Sequence, residues 1–291
     1  MGKSSKTFFS EIDTYPLYGV SEALYMIKTD FDKYYKSCAL CPRGCHADRT
    51  VGAKGVCGES NALRAARAAL HFGEEPCISG KNGSGAVFFS GCSLNCVFCQ
   101  NYGISHENYG KEITVERLTD IFTELQSAGA NNINLVSPSH FAPHIAAALS
   151  AANLKIPVVY NCSGYESPET LKMLDGLIDI YLPDLKYFSP EVSKKYSSAA
   201  DYFSVASRAL KIMYSQVGRV RVGDGGIMRR GLLIRHLVLP SQRHDSINLM
   251  QWISDNFVLE NILVSLMSQY TPMPHCSDYL QRVAVHPKHL P

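Results

Sequence analysis

Three cysteines on one short loop, Ser90-Gly91-Cys92-Ser93-Leu94-Asn95-Cys96-Val97-Phe98-Cys99-Gln100-Asn101, constrain this chain more than any other feature. Their spacing is C-x3-C-x2-C. Three thiolates this close together can each hold one iron of a cubane and leave the fourth iron without a protein ligand. A structural zinc site prefers four protein ligands, so zinc is the weaker alternative for this loop. The open corner is where chemistry can occur.

A second set, Cys38-x2-Cys41-x3-Cys45-x11-Cys57, offers four ligands and no vacancy. It suits a second iron–sulfur cluster serving as an electron relay, or a structural zinc, and spacing does not separate the two. Gly52 and Gly55 let the chain turn tightly between the last two ligands. Ten cysteines suit a disulfide framework in a short secreted domain, but in 291 residues without a signal peptide such clusters favour metal ligation. Cys77, Cys162 and Cys276 belong to neither set and read as small apolar residues.

The rest of the chain divides into an N-terminal arm with the cysteine-rich knuckle, residues 1–70, and a larger α/β unit, residues 71–291. Short apolar runs recur at 86–90, 133–137, 158–161, 178–182, 232–239 and 262–268. Each is too short for an ordinary helix and fits a parallel strand buried on both faces. Helical patterns lie between them. Thr114 is placed to cap a helix with Leu118, Ile121, Phe122 and Leu125 on one face, and Ser167-Pro168 opens a second. Asp245 is placed to cap a third, with Leu249, Trp252 and Ile253 facing inward. Alternating strands and helices predict a parallel sheet with right-handed crossovers, and six strands are too few for a closed barrel. The fold class is therefore α/β, a partial (β/α)6 TIM-like barrel with an N-terminal cysteine-rich metal-binding extension. The glycine-rich segment 223–230 reads as a lid over the barrel mouth.

In parallel α/β folds, function collects at the carboxyl ends of strands. Those ends are polar here: Ser137-Pro138-Ser139-His140, Asn161-Cys162-Ser163, and Pro183-Asp184-Leu185-Lys186. Arg235 and His236 interrupt the fifth apolar run. A charge inside a buried strand needs a partner, so Arg235 implies a ligand in the lumen or a satisfying pair with Asp184. Phe98 is placed either to stack near a nucleobase or to plug the cysteine loop.

The triad with an aromatic before its last cysteine resembles the radical S-adenosylmethionine (SAM) superfamily signature. Cys38-Ala-Leu-Cys-Pro-Arg-Gly-Cys45, Cys57-Gly58, Val136-Ser-Pro-Ser-His-Phe141, Asn161-Cys-Ser-Gly164, Pro183-Asp-Leu-Lys186 and Arg230-Gly-Leu-Leu-Ile-Arg-His236 extend the likeness over roughly residues 35–275, to the pyruvate formate-lyase activating-enzyme homologues. The resemblance implies a [4Fe-4S] cluster on Cys92, Cys96 and Cys99 that binds SAM. It also implies a SAM and substrate cavity faced by Asn161, Ser163, Asp184, Lys186, Arg235 and His236. The related activases carry a Gly-Gly-Glu motif where this chain reads Ser137-Pro138-Ser139-His140, a departure in which hydroxyl or carbonyl oxygens of the turn would replace the carboxylate toward SAM.

The implied activity is reductive cleavage of SAM to a 5′-deoxyadenosyl radical, which abstracts hydrogen from a protein or small-molecule substrate. A strict glycyl-radical-enzyme activase and a non-catalytic electron carrier are the alternatives. A low-potential donor such as flavodoxin or ferredoxin is the implied partner. A net charge of +2 offers no basic field for nucleic acid, and no apolar run reaches the roughly 18 residues of a membrane span. A cytoplasmic protein is expected.

Overall fold

The computed structural model describes residues 31–273. The arm at residues 1–30, Cys276 and the chain around Tyr279 and Val283 lie outside them. Strands β1 (Arg64–His71), β2 (Ser84–Phe89), β3 (Lys111–Glu112), β4 (Ile133–Val136), β5 (Val158–Cys162), β6 (Ile180–Pro183), β7 (Arg221–Val222), β8 (Met228–Leu237) and β9 (Leu263–Met267) share one sheet. From β2 through β4, β5, β6 and β8 to β9, every pairing is parallel. These six are the six apolar runs of the sequence. The sheet stays open, flanked beyond β2 by β1 and β3 in antiparallel pairing.

Strand periodicity sorts the side chains into two layers. Val87, Leu135, Tyr160, Tyr181 and Leu232 lie in one register row and pack outward with Leu118, Ile121, Ile145 and Leu210 of the surrounding helices. Fully burying each such aliphatic or aromatic side chain contributes about 1.5–3 kcal/mol. Val159, Ile180, Leu182 and Leu233 point the other way, into the lumen, where they meet Ile78. Ile78 belongs to the short helix Pro76–Ser79 between β1 and β2, which plugs the lumen from below.

The helix Val115–Ser127 forms as its pattern predicts, with the Thr114 hydroxyl accepting a bond from Arg117 N at 3.1 Å. The helix Pro168–Met173 starts on Ser167 in the same way, with Thr170 N at 3.3 Å. Asp245 behaves differently from expectation. It sits inside the helix Arg243–Asn256, and its carboxylate accepts bonds from Phe188 N at 2.9 Å and Ser189 N at 2.6 Å, so it braces a neighbouring loop instead of capping its own helix.

The expected lid at 223–230 is a correction too. Residues 221–230 form a hairpin in which β7 pairs with the start of β8, through Gly225 and Gly226 at φ +68° and +76°. The amino end of β8 is the floor of the barrel, and Ile227 packs against Gly80 there, opposite the mouth. β1 escaped the sequence reading because Arg64-Ala-Ala-Arg-Ala-Ala-Leu-His71 is rich in good helix formers, and only its pairing with β2 makes it a strand. The helix Tyr202–Val217 was also missed, although Tyr202, Val205, Ala206, Ala209, Leu210 and Met213 repeat at helical spacing and are buried.

Candidate active site

The parallel strands bring one polar row to their carboxyl ends. Asp184, just past β6, bridges to Arg235 on β8, and both point into the lumen. Arg235 Nε donates to Asp184 Oδ1 at 2.9 Å, and Lys186 Nζ donates to Asp184 Oδ2 at 2.6 Å. Arg235 also reaches down to Asn161 Oδ1 at 2.6 Å and Glu74 Oε2 at 3.1 Å, with Glu75 Oε2 at 3.9 Å. Asn134 and Asn161 hold the other Glu74 oxygen at 3.1 and 3.3 Å. Burial pushes the Asp184 carboxyl up, but the Arg235 and Lys186 cations outweigh it and hold Asp184 below the usual carboxylate range. Glu74 goes the other way: burial raises it more than Arg235 lowers it.

Arg235 is thus satisfied by a lumen network, as the pairing alternative foresaw, and the network is larger than the pair. Glu74 and Glu75 were missed in the sequence. Their only local signal is a pair of adjacent acids before Pro76, and nothing there shows that the loop folds into the barrel interior.

The cysteine loop leaves β2 at the same end. Its sulfurs meet hydrogen-bond donors: Leu94 N on Cys92 at 3.4 Å, Ser197 Oγ on Cys96 at 3.1 Å and Ser105 Oγ on Cys99 at 3.2 Å. Burial pushes the Cys92 thiol up to about 12 and raises Cys99 as well, there against the lowering effect of the Ser105 bond. Buried thiolates need a cation beside them, and iron supplies it. Among the described residues no three His, Cys, Asp or Glu side chains converge as the ligands of one metal ion do. A cubane instead spreads its thiolates over separate irons, so the donor chemistry of this loop fits one.

Several residues expected at the cavity are engaged elsewhere. His236 alternates with Arg235 on β8 and so faces the helices. Its Nδ1 meets Leu185 O at 2.6 Å and its Nε2 meets Ser246 Oγ at 2.8 Å, and the ring is 2% exposed. Placing it in the cavity is corrected by the two-residue period of the strand. Ser139 Oγ donates to Glu166 Oε1 at 2.7 Å, and His140 Nε2 meets Ser90 O at 2.6 Å, so both side chains are spent inside the protein. Ser137, at φ +56°, is half-buried, and its hydroxyl has no hydrogen bond to a described residue. Ser163 Oγ accepts from Tyr165 N at 3.4 Å. Phe98 packs edge-on to Tyr187 and Tyr196 with centroids 6.3 and 6.2 Å away, which fits the plugging role.

Glu166 was not anticipated. It is fully buried and takes bonds from Ser139 and from Tyr160 OH at 3.0 Å, and burial lifts its carboxyl to about 7.

The four-cysteine set packs directly on the cysteine loop. Leu40 O accepts bonds from Ser167 Oγ at 3.1 Å and Thr170 Oγ1 at 2.6 Å, which fixes Cys38 and Cys41 against the barrel. The Cys45 and Cys57 sulfurs both lie beside Gly55, 3.3 and 3.4 Å from where its Cβ would be.

Comparison with known proteins agrees with this geometry. Residues 86–229 match the model of the Radical SAM superfamily. A domain of that superfamily implies a [4Fe-4S] cluster and SAM, and the match supports an enzyme. The matched residues include the cysteine loop, Asp184 and Lys186, and they leave out Arg235 and the four-cysteine set. The chain is 28% identical over 285 residues to an uncharacterised protein of Methanocaldococcus jannaschii, MJ0674, across 94% of this chain and 78% of that one. It is also similar to the solved structure of Streptococcus suis SuiB, at 14% identity and a TM-score of 0.41, over 66% of this chain and 42% of that one. The chain thus spans less than half of SuiB, and a likeness that weak carries no argument. Among the described residues no helix is long and apolar enough to cross a membrane.

Proposed function

We propose that Cys92, Cys96 and Cys99 hold the cluster and that SAM lies between this loop and the carboxyl ends of β4, β5 and β6. In this reading the enzyme abstracts hydrogen from a protein or small-molecule substrate. The observation that supports it best is that the cysteine loop leaves β2 at the same end of the sheet at which Asp184 gathers Lys186 and Arg235. When bound, the cluster and SAM supply the 5′-deoxyadenosyl radical.

The chain's own residues then do three things. Ser105 and Ser197 donate to sulfurs, which favours the more negatively charged, reduced state. Asp184 fixes Lys186 and Arg235 in one orientation, so that the mouth presents oriented charges without reorganisation. Asn161 and Ser137 face the region where SAM would sit, with Ser137 offering the hydroxyl that its neighbours do not use. The reductant is a low-potential one-electron carrier of the flavodoxin or ferredoxin type.

Anaerobic reconstitution with SAM and dithionite, followed by assay of 5′-deoxyadenosine, tests the reading. Product from the intact chain and none from single Ala variants at Cys92, Cys96 or Cys99 is the expected outcome. Cleavage by the triple Ala variant refutes it. The strict activase reading is tested separately, by looking for a glycyl doublet in the paramagnetic resonance spectrum of a formate-lyase-type partner.

A further inference from the structure

We infer that Cys38, Cys41, Cys45 and Cys57 hold a redox-active iron–sulfur cluster, through which electrons enter toward the SAM-binding loop. The inference rests in part on the function proposed above, because it places this set beside that loop.

Charge is the first argument. Arg49, between Cys45 and Cys57, is 0% exposed, yet no carboxylate among the described residues lies within ion-pair distance of it. Its guanidinium donates to Ser60 O at 3.1 and 2.5 Å, to His140 O at 2.8 Å and to Cys38 Sγ at 3.5 Å, over the faces of Tyr35 and Phe141. A buried cation is normally paired, and neutral carbonyls and rings do not balance a full charge. Four metal-bound thiolates leave the site anionic, and Arg49 is placed to balance it through Cys38.

Position is the second argument, and it separates a redox centre from a structural zinc. Three parts of the knuckle clamp the cysteine loop itself. Arg43, between Cys41 and Cys45, donates to Ser93 O at 2.9 Å and Leu94 O at 3.4 Å, and also to Ser197 O at 2.6 Å, next to the hydroxyl that bonds Cys96. Asn95, inside the triad, donates to Val56 O at 3.2 Å. The Cys57 carbonyl lies so close to Gly91, which precedes Cys92, that a Cβ there would stand 2.5 Å from the oxygen, and Gly91 also adopts φ +79°. Only glycine fits that contact. A second route runs from Cys38 through Arg49 to His140 and on to Ser90, two residues before Cys92.

Ser93 and Leu94 are buried under Arg43, whereas residues 51–56 at the far end of the knuckle face solvent, with Gly55 half-buried among them. The knuckle therefore stands between the cysteine loop and solvent on this side. Zinc has no redox chemistry and passes no electron at this position, whereas an iron–sulfur cluster does.

The electron balance is simple. A reduced one-electron carrier of low potential is oxidised as it reduces the four-cysteine cluster. Reoxidation of that cluster supplies the single electron consumed when the SAM sulfonium C5′–S bond breaks into methionine and the 5′-deoxyadenosyl radical.

The test uses the full chain with Cys92, Cys96 and Cys99 all replaced by Ala, reconstituted anaerobically with iron and sulfide and, in a parallel sample, offered zinc as competitor. About four irons and four sulfides per chain, with a paramagnetic signal on reduction, are expected. One zinc per chain and no such signal overturns the inference, as does a chain that binds neither. In the same background Arg49→Gln should lower the midpoint potential of the signal, because a cation beside a cluster favours its reduced state. An unchanged potential in a folded variant refutes the coupling. A chain whose triad-deleted form holds the cluster but whose intact form never cleaves SAM would sink the proposed function and leave this inference standing.

Discussion

Replacing Asp184 by Asn keeps the side-chain volume and strips the charge that joins Lys186 to Arg235. In the native chain one Asp184 oxygen takes Lys186 at 2.6 Å and the other takes Arg235 at 2.9 Å. The amide keeps one acceptor and turns an NH2 toward one of the two cations. Removing one member of a buried ion pair costs about 3–5 kcal/mol, because the partner is left charged and unpaired. Here 20% of Asp184 and of Lys186 remains exposed, and Arg235 retains Glu74. The low end, about 3 kcal/mol, is therefore expected. With a urea slope of about 3 kcal/mol/M, the unfolding midpoint should drop by about 1 M.

A second substitution locates the cause. Lys186→Met in the Asp184→Asn background removes the stranded ammonium and should recover most of the loss. The pH dependence has a fixed sign as well. The folded Asp184 carboxyl lies below its unfolded value, so its contribution is fully present above about pH 4 and fades as pH falls through the folded value. The gap between native and variant chains should hold at neutral pH and close in acid. A loss under about 1 kcal/mol, or no recovery on adding Lys186→Met, would show that the pair is solvent-screened and refute the argument.

Three further predictions follow from neighbouring geometry. Glu166 is lifted to about 7 by burial, so the folded chain keeps its proton while the unfolded chain loses it, and native stability should fall relative to Glu166→Gln as pH rises from about 4 to 7, by at most about 1.4 kcal/mol per unit; parallel curves in chemical denaturation would contradict this. His236→Ala should cost about 1–3 kcal/mol by stranding Ser246 and Leu185 O, with SAM cleavage intact below the melting range, and lost cleavage in a folded variant would return His236 to the site. Lys186→Met alone should weaken SAM cleavage more than it weakens folding, since its tip meets Asp184 in the lumen at the end of the sheet where the cysteine loop lies; unchanged turnover would remove Lys186 from the site.

The chain itself determined the six parallel strands, because each is a short apolar run whose burial on both faces needs no knowledge of its neighbours. It also determined the cysteine loop, since ligands three and four residues apart are a local matter. What it left open depends on contacts far apart in sequence. The face to which Arg235 and His236 point follows from strand register, and register is set by pairing. Glu74 becomes a partner of Arg235, 161 residues away, only because the loop before Pro76 folds into the lumen. Arg64–His71 becomes a strand only beside β2, where tertiary pairing overrides helix propensity. The contact of Cys57 with Gly91 and of Arg43 with Ser93 joins two loops that spacing shows only as separate sets. Spacing is a property of the chain, whereas charge balance and close approach belong to the space that the folded barrel encloses.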